Sequence, residues 1–251
     1  MAASEVILEA QGLSKEFLGF CAVDAVDLSI RRGSVHALIG PNGAGKTTVF
    51  NLLTGFVQPT AGRIRFNGTD ITGESPVQIA RRGMVRSFQI SATFPHLTLL
   101  ENVRVALQRK MPNSLHFWEH ESRLNCLNER AMQLLEQVDL SNLADRVTVH
   151  LPYGRKRALE IATTLALDPE LMLLDEPTQG MGHEDVSRVV ELIRKVARDR
   201  TILMVEHNLS VVETLSDVIT VLQRGSVLAQ GPYSAVSKDP RVLEAYVGVE
   251  V

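Results

Sequence analysis

The stretch Val35-His36-Ala37-Leu38-Ile39-Gly40-Pro41-Asn42-Gly43-Ala44-Gly45-Lys46-Thr47-Thr48 decides how this sequence is read. Val35–Ile39 is a short apolar-rich run with the character of a buried strand. Gly40–Thr47 matches the pattern G-x-x-x-x-G-K-[ST] in full, and Lys46–Thr54, closed by Gly55, has the character of the helix that follows. Strand, glycine turn and helix in that order are what a phosphate site requires. The glycines let backbone N–H groups turn inward as a nest for phosphate oxygens, and the positive end of the helix dipole reinforces them. Lys46 supplies a point charge to the β- and γ-phosphates, and the Thr47 hydroxyl is placed to ligate Mg²⁺. The residues expected to bind nucleotide here are Asn42, Gly43, Ala44, Gly45, Lys46, Thr47 and Thr48. The bland alternative is a Gly-rich strand–helix turn. The full pattern arises by chance on the order of once in a hundred chains of this length, and its strand–loop–helix setting makes it rarer still.

Outward from this segment, short strand-like runs alternate with longer helix-like ones, which indicates an α/β architecture. Val6–Leu8 and Ala25–Ile30 read as strands. Ile64–Phe66 and Thr69–Ile71 flank Asn67-Gly68, a pair suited to the positive φ angles of a type I′ hairpin turn. Ser75-Pro76 opens a short helix that Gly83 closes. Thr98 followed by Glu101 is a capping-box pattern. Leu124, Leu127, Ala131, Leu134, Leu135 and Val138 make His120–Val138 one helical stripe. Residues 90–167 are therefore expected to form a mainly helical subdomain within one 251-residue unit, with 1–89 and 168–251 as its core and β subdomain. Leu171–Leu174 and Thr201–Val205 read as buried strands around the helix Glu184–Arg198. That helix carries Val186, Val189, Val190, Ile193 and Ala197 on one face, with acids at its start and bases at its end. Val218–Leu222 and Ser226–Gln230 flank a second hairpin pair, Arg224-Gly225.

Composition narrows the functional classes. The 26 basic and 29 acidic residues sum to −3 with no charged tail, which argues against a nucleic-acid binder or a strongly membrane-adhesive surface. Two cysteines, Cys21 and Cys126, make no disulfide framework and lack metal-ligand spacing, as suits a reducing compartment. No apolar run nears the ~18 residues that span a bilayer. The opening MAASEVILEA lacks the basic-then-apolar pattern of a secretion signal. The expectation is a soluble cytoplasmic protein with neither a transmembrane segment nor a signal peptide.

Two further constellations carry chemistry. Leu171–Leu174 runs into Asp175-Glu176, delivering carboxylates to the carboxyl end of a buried parallel strand, where such sheets bind ligands. Asp175 is expected to hold Mg²⁺ through water, and Glu176 to orient or deprotonate the attacking water. Any core strand can exit into acids, so the weight comes from pairing with the phosphate loop. His207 follows Thr201–Val205. A lone histidine there is ordinarily a surface or capping residue. On a third strand of a phosphate-binding sheet it is expected to hydrogen-bond the γ-phosphate and the water, helped by Glu176.

This set resembles the ATP-binding subunit of an ABC transporter over nearly the whole chain. The resemblance implies a P-loop NTPase core with an antiparallel β subdomain and a helical insertion. It also implies ATP and Mg²⁺ as ligands, and hydrolysis to ADP and phosphate coupled to transport. Gln89, in Ser87-Phe88-Gln89, matches the family's glutamine, whose implied jobs are to touch Mg²⁺ or the water and to relay nucleotide state to membrane subunits. Phe17 matches the aromatic residue that stacks on adenine, the alternative being a core phenylalanine on an early strand. Leu151-Pro152-Tyr153-Gly154-Arg155 matches the signature segment, so Tyr153 and Gly154 are implied to cover ATP on a second ATPase subunit. Pro152 stands where the family has serine. It suits a helix start but brings no hydroxyl and no amide. Gly182 stands where the commonest family form has aspartate. Phe94 and Leu97 are candidates for lining the groove that takes a membrane subunit's coupling helix, with core packing as the alternative.

Within the family, Arg86–Gln89, Phe94–Thr98, Glu101-Asn102-Val103 and Asp239–Gly248 resemble the ATPases of branched-chain amino-acid importers. Relatives of that group import urea or amides, and a similar ATPase drives lipopolysaccharide export. The implied partners are transmembrane permease subunits, a second ATPase that is identical or unlike, and indirectly a periplasmic binding protein. The implied place is the cytoplasmic face of the bacterial inner membrane. One rival is an ATP-binding regulatory or structural module with weak hydrolysis, which Pro152 keeps open. The other, a soluble ABC protein acting on DNA or ribosomes, is disfavoured by charge and by the lack of a second cassette.

Overall fold

The structure, a computed structural model, describes residues 5–87, 93–110 and 121–247. It opens on a long hairpin, β1 (Val6–Phe17) and β2 (Phe20–Arg31), turned by Leu18 and Gly19 at positive φ. The apolar pattern marks only Val6–Leu8 and Ala25–Ile30 of these strands, because polar Gln11 and Gly12 interrupt it. The fold absorbs that interruption as bulges, with register shifts after Ala10 and Leu13. After β3 (Val35–Ile39) and α1 (Lys46–Leu53) come β4 (Ala61–Phe66) and β5 (Thr69–Asp70), which complete an antiparallel sheet in the order β2-β1-β4-β5. Asn67 and Gly68 both take positive φ, as a type I′ turn demands. Next come α2 (Pro76–Arg81) and β6 (Met84–Ser87). Ser75 caps α2, and Gln78 reaches back to complete a capping box, adding to the Ser75-Pro76 start signal.

The helical stretch holds α3 (Leu99–Leu107), α4 (Asn128–Gln137) and α5 (Tyr153–Ala166). Thr98 and Glu101 form the expected reciprocal cap of α3. Among the described residues of the His120–Val138 stripe there is not one continuous α-helix. Glu121–Leu127 is a 3₁₀ turn that changes to α4 at Asn128, and a spacing of three, as between Leu124 and Leu127, suits both helix types. A hydrogen-bonded strip joins the entry to α3 with the entry to α5. Thr98 and Val147 form an isolated antiparallel bridge, Thr148 N–H donates to Leu97 O at 3.0 Å, and Val149 N–H donates to Pro95 O at 2.8 Å. The buried Asn102 side chain pins the strip: its Oδ1 accepts Phe94 N–H at 2.7 Å, and its Nδ2 donates to Thr98 O at 2.9 Å and Thr148 Oγ1 at 3.0 Å.

The chain then lays down β7 (Leu171–Asp175), α6 (His183–Val196), β8 (Thr201–Val205), α7 (Leu209–Leu215), β9 (Val218–Gln223), β10 (Ser226–Gly231), α8 (Tyr233–Val236) and α9 (Pro240–Val247). The second sheet runs β10-β9-β3-β8-β7-β6, parallel except for β10. All five positions of β3, β7 and β8 are buried, because both faces of this sheet are covered. Alternate residues serve different cores. Ala37, Met172, Leu174, Ile202 and Met204 face the helices, whereas Leu38, Leu171, Leu173, Leu203 and Val205 join α1 and the antiparallel sheet.

His36 is the exception inside β3, with its Nε2 2.8 Å from Thr220 Oγ1 on β9. Burial lowers its pKa from 6.5 to about 4. The folded imidazole thus refuses a proton that the unfolded chain accepts, so stability is lost as pH falls from 6.5 towards 4, by about 3 kcal/mol in all. Urea midpoints at pH 7 and pH 4.5 measure this, and a His36→Gln variant is expected to show a shallower acid slope.

Candidate nucleotide site

Strand register brings the singled-out residues to one edge. Leu38 pairs with Val205, Asp175 with Val205, Ile39 with Val221, and Ser87 with Leu174, so β3, β8, β7 and β6 end level with one another. From β3 the chain turns sharply into α1. Gly40 has φ 147°, and a Cβ there would lie 2.2 Å from Leu222 O; Gly45 has φ 101°, and a Cβ there would lie 2.7 Å from Ala22 O. Neighbouring backbone therefore presses the loop into a shape that only glycine allows at these two points. The Lys46 ammonium is buried and donates to Gly40 O at 2.7 Å and Pro41 O at 2.9 Å. Burial lowers its pKa, and the charge of Glu176 partly restores it. Asn42, Gly43 and Thr47 are exposed, Thr48 is half-buried, and Ala44 is buried.

Asp175 is 3% exposed, and its Oδ2 accepts Arg86 Nη2 at 2.6 Å. Arg86 also donates to Asn51 Oδ1 at 2.7 Å and lies over the Phe50 ring. Arg157 of α5 donates to Asp175 O at 2.9 Å while paired with Glu160. Glu176 holds φ +46°, an unusual angle outside glycine, with its N–H donating to Val205 O at 2.9 Å. That bend sets Glu176 Oε1 2.7 Å from His207 Nε2. Two residues found separately in the sequence thus meet in the fold.

Other candidates lie elsewhere. Phe17 is 43% exposed at the end of β1, with Lys15 Nζ 5.0 Å above its ring, which removes the core alternative. Tyr153 is exposed, and Gly154 faces α6, where a Cβ would meet the Asp185 carboxyl at 2.7 Å. Pro152 is the N-cap of α5 and makes no side-chain cap bond. Gln89 lies outside the described residues. Phe94 is exposed and lines an apolar groove of about 410 Å³ with Phe56, Val77 and Val105. Leu97 does not line that groove; its carbonyl serves the strip to Thr148 instead.

Sequence reasoning assigned no role to Arg86, Arg157 or Glu206. Glu206 was findable: it is an acid closing an apolar strand, the same signal that exposed Asp175 and Glu176. The two arginines act through distant partners on β7, so nothing local marks them.

The sequence pattern described as ABC transporter matches residues 23–179. The high-affinity branched-chain amino acid transport ATP-binding protein BraF of Pseudomonas aeruginosa is 39% identical over 98% of this chain and 99% of its own. Its counterpart LivG of Escherichia coli is 38% identical over the same shares. A solved ATP-binding cassette of an ABC transporter in its ADP conformation superimposes with a TM-score of 0.86 and 32% identity, over 97% of this chain and 99% of that one.

Proposed function

We propose, from the premise that this chain belongs to the ABC transporter family, that it is the ATP-hydrolysing subunit energising an importer of branched-chain amino acids or related small polar solutes. The observation that carries the reading is the Glu176–His207 contact on the sheet edge that also presents the glycine loop and Lys46. The choice of cargo rests on the relatives' names, since the residues of this site are suited to a nucleotide and not to the transported solute. Labelled leucine and labelled urea, offered to vesicles holding this subunit with its permease partners, test it. ATP-dependent leucine uptake is expected, and uptake of urea alone overturns the amino-acid reading.

The residues fit a nucleotide with Mg²⁺. The loop offers glycines at positive φ and a buried cation, and Thr47 is exposed beside them. Bound there, Mg²⁺ neutralises charge on the phosphates. Thr47 and Gln89 would touch it. Asp175, already engaged by Arg86, would act through water. Lys46 holds the β- and γ-phosphates. Glu176 orients the water and takes its proton as oxygen attacks the γ-phosphorus, leaving ADP and phosphate. His207 holds Glu176 and the transferred group in line. Phe17 stacks on adenine, and Asn42–Thr48 cradle the phosphate chain.

We read Tyr153 and Gly154, which open α5, as covering ATP on a second ATPase subunit in a two-fold pair. Permease subunits would seat on the groove that Phe94 and Val105 of the helical part form with Phe56 and Val77, at the cytoplasmic face of the inner membrane. A periplasmic binding protein would deliver the cargo. No helix among the described residues is long and apolar enough to cross a membrane.

Pro152 favours a second reading, a slow enzyme, because α5 begins without a side-chain cap or a hydroxyl at that position. Pro152→Ser is expected to raise turnover severalfold and to add about 1 kcal/mol of cap stability. Phosphate release and thermal melts check both, and unchanged turnover contradicts the role given to this position.

A further inference from the structure

The Glu206 carboxylate is 3% exposed and has no part in the chemistry above. Its Oε1 accepts the Thr178 N–H at 3.0 Å and also the Thr178 hydroxyl. Its Oε2 accepts the N–H groups of His207 at 2.8 Å and Asn208 at 3.0 Å. One buried side chain therefore grips two loops, one leaving β7 after Glu176 and one leaving β8 at His207. Burying a carboxylate is costly unless its oxygens are met by donors, and here four donors meet it. Bonds from backbone N–H groups to a charged acceptor are among the stronger ones in proteins. Asn208 extends the grip to α7, since its own Oδ1 caps that helix through Ser210 N–H at 3.1 Å.

We propose that Glu206 is a positioning residue for ATP hydrolysis: by clamping Thr178 to the His207–Asn208 turn it sets the separation at which Glu176 Oε1 meets His207 Nε2. The inference rests on the reading that Glu176 and His207 handle the water. A carboxylate is required because both of its oxygens face donors. An amide in its place turns its own N–H₂ towards one loop. The Thr178 hydroxyl can rotate to accept from it, but the Thr178 N–H then loses its acceptor, and the loops separate. Misplacing a reacting group by about 1 Å costs up to about 100-fold in rate. The loss falls on turnover, because neither Thr178 nor Glu206 belongs to the phosphate loop.

The test measures kcat and KM for Mg²⁺-ATP in Glu206→Gln, Thr178→Val and the double variant. Glu206→Gln is expected to lower kcat by about 10- to 100-fold with KM changed less than about threefold. Thr178→Val is expected to lower kcat less, and the double variant to lose no more than Glu206→Gln alone, since both act through one clamp. A kcat within twofold of the parent, or a kcat loss matched by a rise in KM and a lower melting temperature, overturns the proposal. Should Glu206→Gln not fold, Thr178→Val decides: lower kcat at unchanged KM supports the clamp, and unchanged kcat removes it. Glu176→Gln separates the two readings. If that variant is inactive while Glu206→Gln is not impaired, only the clamp fails. If Glu176→Gln turns over like the parent, the water-handling pair itself is wrong.

Discussion

Replacing Glu176 with Gln is expected to lower kcat at least about 100-fold while ATP binding in the presence of Mg²⁺ is kept, the range typical of removing a positioned general base. Glutamine has nearly the same shape and can still meet His207, so the 2.7 Å contact and the turn at φ +46° survive. What disappears is the ability to take a proton from water. Phosphate release under saturating ATP, beside equilibrium binding of labelled ATP, separates the two quantities. Parent-like turnover would remove Glu176 from the chemistry. Tight binding with no turnover would also yield a trapped form in which pairing with the second subunit can be measured.

Lys46→Ala is expected to act on the other quantity. Its ammonium sits among acceptors, at 2.7 Å and 2.9 Å from the carbonyls of Gly40 and Pro41, buried and beside the loop. Charge-assisted bonds to a phosphate contribute about 1.5–3 kcal/mol each. Losing one such bond weakens ATP by roughly 10- to 150-fold, and losing two weakens it further. Removing the buried cation also leaves the Gly40 and Pro41 carbonyls short of a donor, so the loop itself loosens. Titration calorimetry with ATP reads the affinity, and a loss below about fivefold would contradict the assignment.

Much of this site was readable in one dimension because its chemistry is local. A phosphate nest needs glycines at fixed spacing beside a helix start, and Gly40 and Gly45 occupy the two points where neighbouring backbone forbids a Cβ. Asp175, Glu176 and His207 were readable because each closes or follows a continuous apolar run. The contacts that tie the edge together were not. Arg86 reaches Asp175 across 89 positions, and Thr178 reaches Glu206 across 28. Nothing in a local pattern announces such pairings, since strand register alone decides them. The helical stretch was harder for a different reason. An apolar repeat of three or four residues leaves 3₁₀ and α geometry undecided, and Glu121–Leu127 took the tighter form.

The Asn102 side chain has a mechanical consequence. It rivets the backbone at Phe94 and Thr98 to Thr148, and Thr148 O in turn holds Leu151 N–H at 3.1 Å, one residue short of the proline that opens α5. These bonds tie the backbone beside the apolar groove at Phe94 to the entry of α5, so a displacement at one is expected to be felt at the other.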